Sequence, residues 1–131
     1  MLLIDANAIL RFILRDNEEM AQEVGMILKT RDVVLKNEVL AEVLYVMEGV
    51  YKLSRQEMCP TINGLIALSR LHMESKEVVA FALKTFEETR LDFVDTLLYA
   101  YHVIEGKDVF TFDKKLRNKL KTATFAKGDG N

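Results

Sequence analysis

Short unbroken apolar runs alternate along this chain with longer stretches of helical spacing. Residues 2–5, LLID, form an apolar run ending in an acid and predict a buried strand. Residues 33–35, VVL, predict a second strand, and 109–112, VFTF, a third. Asp16 and Asn17 punctuate, after which residues 18–28 keep a helical apolar spacing through Met20, Val24, Ile27 and Leu28. Asn37 is placed to cap a helix reaching about Tyr51, with Val39, Leu40, Val43, Leu44, Met47 and Val50 on one stripe. Ser54 and Glu57 have capping-box spacing for the next helix, and Pro60 within it predicts a kink or a delayed regular start. Ser75 is placed to cap a helix that turns Val78, Val79, Ala82, Leu83 and Phe86 inward. Asp92 opens the last long helix and Gly106 stops it. Asp113 starts a basic helix through Leu120, and 123–126 predict an edge strand.

Short apolar strands separated by helices imply a mostly parallel sheet with helices on both faces, an α/β fold. No repeat, linker or low-complexity segment interrupts it, so residues 1–126 are expected to form one domain and 127–131 a frayed tail. At 131 residues the chain is long enough for a sizeable core.

Composition narrows the class. Half of the residues are apolar and 29% charged, as in a globular rather than a disordered chain. The lone Cys59 cannot form an internal disulfide and fits a reducing cytoplasm. No apolar run approaches a membrane span, and MLLIDANAIL, acidic at position 5 without a basic flank, does not read as a signal peptide. Net charge is only −2. From Lys107 onward, however, seven basic residues (Lys107, Lys114, Lys115, Arg117, Lys119, Lys121, Lys127) face three acids (Asp108, Asp113, Asp129). A basic C-terminal quarter on an acidic body suits a polyanion, although a solvated helix face explains it too.

Four acids stand at strand ends or in the first turns of helices, near the carboxyl edge where α/β sheets build sites. Asp5 ends the first run and Asp113 follows the third. Asp95 lies in the first turn of the helix opened by Asp92. Glu42 interrupts VLAEVLYVM, a run with no Lys or Arg to answer a carboxylate taken out of water. Asp5, Asp92 and Asp113 are equally good helix caps, so each acid alone has a structural explanation. Together they suggest a cluster that would hold its protons unless a cation sat among them. Oxygen donors without His or Cys select Mg²⁺ or Mn²⁺.

LIDANAILRFIL, VLAEVLYVM, LDFVDTLLYA and VFTFD, taken in order, resemble the four motifs of PIN-domain proteins, and most of all the short VapC-type toxins of toxin–antitoxin systems. The resemblance covers essentially the whole chain. It implies a parallel-sheet α/β fold and a Mg²⁺-dependent endoribonuclease, homodimeric and inhibited by a cognate antitoxin. The family's acidic quartet falls on Asp5, Glu42, Asp95 and Asp113, with Asn7, Asp92 and Thr111 in supporting positions. Arg11, Arg15, Lys114, Lys115 and Arg117 are candidates for RNA phosphate contacts. Glu42 could ligate the metal, orient water or act as base. Ala6 replaces the hydroxyl residue often found beside the first acid, and Lys115 and Leu116 replace an acidic–aromatic pair after the fourth.

Other side chains read as structure: His102 as a helix-surface or interface residue, the six Met as core filler, and Tyr45, Tyr51, Tyr99 and Tyr101 as core or dimer contacts. Two rival functions remain. A catalytically idle PIN-like binding module would have lost part of its acidic set, and here the set is complete. A phosphotransfer enzyme is disfavoured because Asp5-Ala6-Asn7 lacks the second acid of haloacid-dehalogenase-type phosphatases.

Overall fold

The computed structural model describes residues 1–123. It is an α/β fold whose described residues form seven helices and a three-stranded parallel sheet. Its contacts divide it into two compact units, Met1–Lys76 and Glu77–Asn131. The expected edge strand at 123–126, beyond its first residue, and the tail at 127–131 lie outside the described residues.

The first unit contains the sheet. Strands β1 (Leu2–Leu3), β2 (Val33–Val34) and β3 (Leu71–His72) lie side by side in that order, with Leu2 opposite Val33 and Val33 opposite Leu71. Parallel neighbours need long crossovers, and each here is a pair of helices. Helices α1 (Ala6–Leu14) and α2 (Glu18–Thr30) join β1 to β2; α3 (Asn37–Gly49) and α4 (Arg55–Ile66) join β2 to β3. The ladder continues past the strand ends, with Ile4 N–H donating to Val34 O at 3.2 Å and Leu35 N–H to His72 O at 2.9 Å. That pairing carries the sheet to the threshold of Asp5.

Local chemistry explains most helix boundaries. Asn17 caps α2 by accepting from Met20 N–H at 3.0 Å. Ser54 and Glu57 form the expected capping box, which holds the carboxyl of Glu57 below its ordinary range through the backbone and side-chain bonds with Ser54. Helix α4 begins at Arg55 and runs through Pro60, so the proline does not delay its start. Helix α3 begins without a side-chain cap: Asn37 is its first helical residue and Lys36 occupies the cap position.

The inward stripes differ from expectation at their ends. In α3, Leu40, Val43, Leu44 and Met47 are buried, while Val50, just past the last turn, is 67% exposed. In α2 it is Ala21, rather than Met20, that joins Val24 and Leu28 in the core. Met47 and Met58 fill the core as expected, whereas Met20 and Met26 are exposed.

The second unit contains α5 from Glu77 onward (Lys76–Glu88 in full), α6 (Phe93–Glu105) and α7 (Lys114–Lys121). All five expected inward residues of α5 are buried. Gly106 stops α6 with φ +70, a left-handed conformation that costs glycine nothing. Leu116 of α7 is buried against Tyr99 and Val103 of α6, with Phe81, Val109 and Leu120 packed around them.

Residues 109–112 do not form the expected strand. Their composition favours one, but a strand is a pairing, and here local bonds hold the backbone instead. Thr111 Oγ1 accepts from Asp113 N–H at 3.0 Å, and Thr111 O accepts from the Arg117 guanidinium at 3.0 Å. Side chains still alternate: Val109 and Thr111 are half-buried, while Phe110 and Phe112 are exposed and meet edge to face at 5.1 Å.

Candidate active site

Each of the four candidate acids stands at or near the start of a helix. Asp5 follows β1 after Ile4 and is the cap of α1, its Oδ1 accepting from Ala8 N–H at 2.9 Å. A carboxylate has about four lone-pair positions, so this bond leaves the second oxygen and its solvent side available. Asn7 is exposed in the first turn of the same helix.

Glu42 is exposed rather than buried, which corrects the expectation drawn from its apolar surroundings. The reason is the helical period. VLAEVLYVM wraps round α3, and Glu42 falls on the side opposite Leu40, Val43, Leu44 and Met47. One turn away on its own side are Glu38 and Tyr45, both exposed. No buried cation is needed to answer its charge.

The acids of the second unit interact. Asp92 occupies the cap position of α6, but its side chain makes no capping bond. Asp95, three residues on, is half-buried, and its carboxyl is pushed above the ordinary range first by burial, then by the charges of Asp92 and Asp113. Asp113 caps α7 through Oδ2, which accepts from Leu116 N–H at 2.8 Å. Thr111 Oγ1 accepts from the Asp113 backbone N–H at 3.0 Å. Burial and the charges of Asp92 and Asp113 penalise the ionised form of Asp95, and a hard cation would relieve that penalty. The chemistry of these three acids therefore fits Mg²⁺. Among the described residues, no group of three or more His, Cys, Asp or Glu side chains is gathered as a ready ligand shell.

The basic candidates differ in availability. Arg11 pairs with Asp16 at 2.7 Å and donates to Tyr51 Oη at 3.4 Å, so it already has an anionic partner. Arg15 pairs with Glu18 at 2.8 Å, and Arg117 donates to Thr111 O. Lys114 and Lys115 are exposed in the first turn of α7. Arg90, Asn118 and Lys119, which were not among the sequence candidates, line a cleft together with Lys115. Part of that signal was readable, because Lys115 and Lys119 are one helical turn apart.

His102, Tyr99 and Tyr101 are packed into the fold, whereas Tyr45 and Tyr51 are not. His102 is half-buried with Nδ1 2.7 Å from Lys107 O at the end of α6. Tyr99 is core, Tyr101 half-buried, and Tyr45 and Tyr51 exposed. No described helix is long and apolar enough to cross a membrane.

A family model described as PIN domain matches residues 2–120. No curated protein and no solved structure gives a significant match. The match spans nearly the whole chain, which therefore belongs to the PIN domain family, a nuclease-type fold whose members generally depend on divalent metal ions.

Proposed function

We propose that this PIN-domain chain is a Mg²⁺-dependent endoribonuclease, with Asp5, Glu42, Asp95 and Asp113 as its working acids and Asn7, Asp92 and Thr111 in support. The observation that carries the reading is the PIN-domain match over residues 2–120, within which Asp95 is half-buried and its carboxyl is raised by burial and by the charges of Asp92 and Asp113. Helix capping does not call for like charges around a half-buried acid, and Asp92 makes no side-chain capping bond. Carboxylates raised by burial and like-charged neighbours are enriched at functional sites.

The bound cation, Mg²⁺ or Mn²⁺, would supply the Lewis acidity that acidifies water and offsets charge on a phosphodiester. Asp95 and Asp113 offer oxygens to hold it, and the likeness to the family's motifs gives Asp5 a metal-binding role as well. Asp92 keeps the local charge high enough that a divalent ion is favoured over protons. Glu42, exposed and with no cap to serve, orients the attacking water or takes its proton. Lys114 and Lys115 hold phosphates without reading sequence.

The same reading makes the chain the toxin of a toxin–antitoxin pair, acting in the cytoplasm as a homodimer restrained by a cognate antitoxin. Its support is the likeness of all four motifs to VapC-type toxins, together with apolar side chains left exposed on and just after α3, Tyr45 and Val50. The test is brief expression followed by mapping of new RNA ends, beside a Glu42→Gln control. New ends at defined positions with the wild type alone support the reading; identical end patterns in both cultures refute it.

A further inference from the structure

A trough of about 620 Å³ opens within the first unit between α2 and the turn that leads into β3. Buried Ala21 and Leu28 and the half-buried ring of Phe12 give it an apolar floor, and Leu68 of the turn walls it. No carboxylate is part of the lining, whereas Arg15, Lys29 and Arg70 are. Lys29 is exposed and forms no ion pair among the described residues. Arg15 meets Glu18 at 2.8 Å and Arg70 meets Asp32 at 3.6 Å, each through one nitrogen of a half-exposed side chain. Exposed pairs of this kind are weak, and the other guanidinium donors stay available to an incoming anion. Arg15 also lies over Phe12, its guanidinium carbon 5.8 Å from the ring centre, so that charge borders the apolar floor directly.

Gly25 sits in the lining of this trough and in the middle of α2. Glycine is among the poorest residues for a helix interior, and Gly25 is not one of the residues with positive φ that would require it. A Cβ there would meet only Phe12, 3.4 Å from Cε1, which is an ordinary contact, so alanine would fit. A longer side chain would run on into the trough. The chain thus keeps a helix-weakening residue where its one steric effect is an open notch beside an aromatic ring. The notch is separate from the first acid: Asp5 caps one end of the nine-residue α1 and Arg15 the other, roughly 14 Å apart along the axis.

We propose that this trough is a ligand site for an organic anion with a flat apolar body, seated against Phe12 in the notch left by Gly25 and held by the cations of the rim. Aromatic or acyl carboxylates, sulfonates and phosphate esters share that chemistry. Concavities of roughly 300–1,000 Å³ with an apolar lining and a few polar groups are the usual form of small-molecule sites. The competing occupant is an acidic helix of a partner protein. A notch one residue wide suits a ring better than the broad apolar stripe of a helix. The site needs no catalysis, so its test is independent of the endoribonuclease reading.

The probe is anilinonaphthalene sulfonate, a flat aromatic anion that fluoresces in apolar surroundings, titrated into the full chain at fixed ionic strength. Phenylnaphthylamine, the same ring system without the sulfonate, is the uncharged arm. Wild type should bind one sulfonate per chain while still unfolding cooperatively, which separates a native site from the exposed surface of a molten state. Gly25→Leu fills the notch and should abolish the signal. Gly64→Leu adds the same side chain where a Cβ meets nothing within 4 Å, and should leave binding unchanged. An exposed ion contact contributes up to about fivefold in affinity, so Lys29→Gln/Arg70→Gln should weaken the sulfonate roughly tenfold and the uncharged probe hardly at all. Equal sulfonate affinity in wild type and Gly25→Leu would overturn the proposal, as would an equal response of both probes to the charge change. Gly25-dependent binding of an acidic helical peptide, with no sulfonate bound, would also overturn it and make the trough a protein-docking surface.

Discussion

Leu116 serves Asp113 twice: its backbone N–H donates to Asp113 Oδ2 at 2.8 Å, and its side chain is buried against Tyr99 and Val103. Helix α7 is thereby fastened to α6 at the turn where the fourth acid begins it. The residue that departs from the family's usual pattern is thus the anchor of this corner. Leu116→Ala should cost about 2–5 kcal/mol, as expected for a core truncation. Asp113→Ala should cost about 1 kcal/mol through the lost cap, whereas Asp113→Asn, which caps nearly as well, should leave stability almost unchanged. Urea unfolding of the three variants checks the ranking. Activity should disappear in both Asp113 variants, separating the charge from the cap.

Asp95 gives a pH signature in the absence of metal. Burial, followed by the charges of Asp92 and Asp113, raises its folded-state value above the ordinary 3.8. Between those two values the folded protein holds more proton than the unfolded chain, so stability falls as pH rises through that window. Above the window the penalty is complete; below the ordinary value it is absent. Asp95→Asn lacks the term. With a chelator present, the variant should be at least as stable as wild type at neutral pH, and its advantage should vanish on acidification. A wild type that gains stability relative to Asp95→Asn as pH rises through this window would contradict the assignment.

Divalent ions should reverse that penalty. A ligand that binds only the folded state stabilises it by about 1.4 kcal/mol at ten times its Kd. Mg²⁺ or Mn²⁺ should accordingly raise the melting temperature of the wild type and do so much less for Asp5→Asn/Asp95→Asn. Equal shifts in the two proteins would mean that the acids do not bind the ion.

How far the sequence reaches depends on how local the cause is. The Ser54–Glu57 capping box spans three residues and was readable, as were Gly106 stopping α6 and the inward face of α5. Strand β3 was not, because Leu71–His72 has no apolar pattern of its own and exists through pairing with β2. Residues 109–112 show the reverse, strand composition without a ladder. Within the candidate site, the Asp92–Asp95 spacing was visible along the chain, whereas the influence of Asp113 on Asp95 depends on α7 packing against α6. Glu42 was identified as a candidate for the wrong physical reason. Composition suggested burial, and the helical period places it in solvent.

The most direct test is single-turnover cleavage of a labelled single-stranded RNA in Mg²⁺ by wild type, Asp95→Asn, Glu42→Gln and Glu38→Gln, with unfolding measured in parallel. The account predicts metal-dependent cleavage by the wild type and by Glu38→Gln. It predicts a drop of about 10²–10⁴-fold in Glu42→Gln, the range for loss of a positioned base, without loss of stability. Asp95→Asn should be at least as impaired. Cleavage by Glu42→Gln and Asp95→Asn at the wild-type rate, or a wild-type rate indifferent to chelation of the metal, would contradict it.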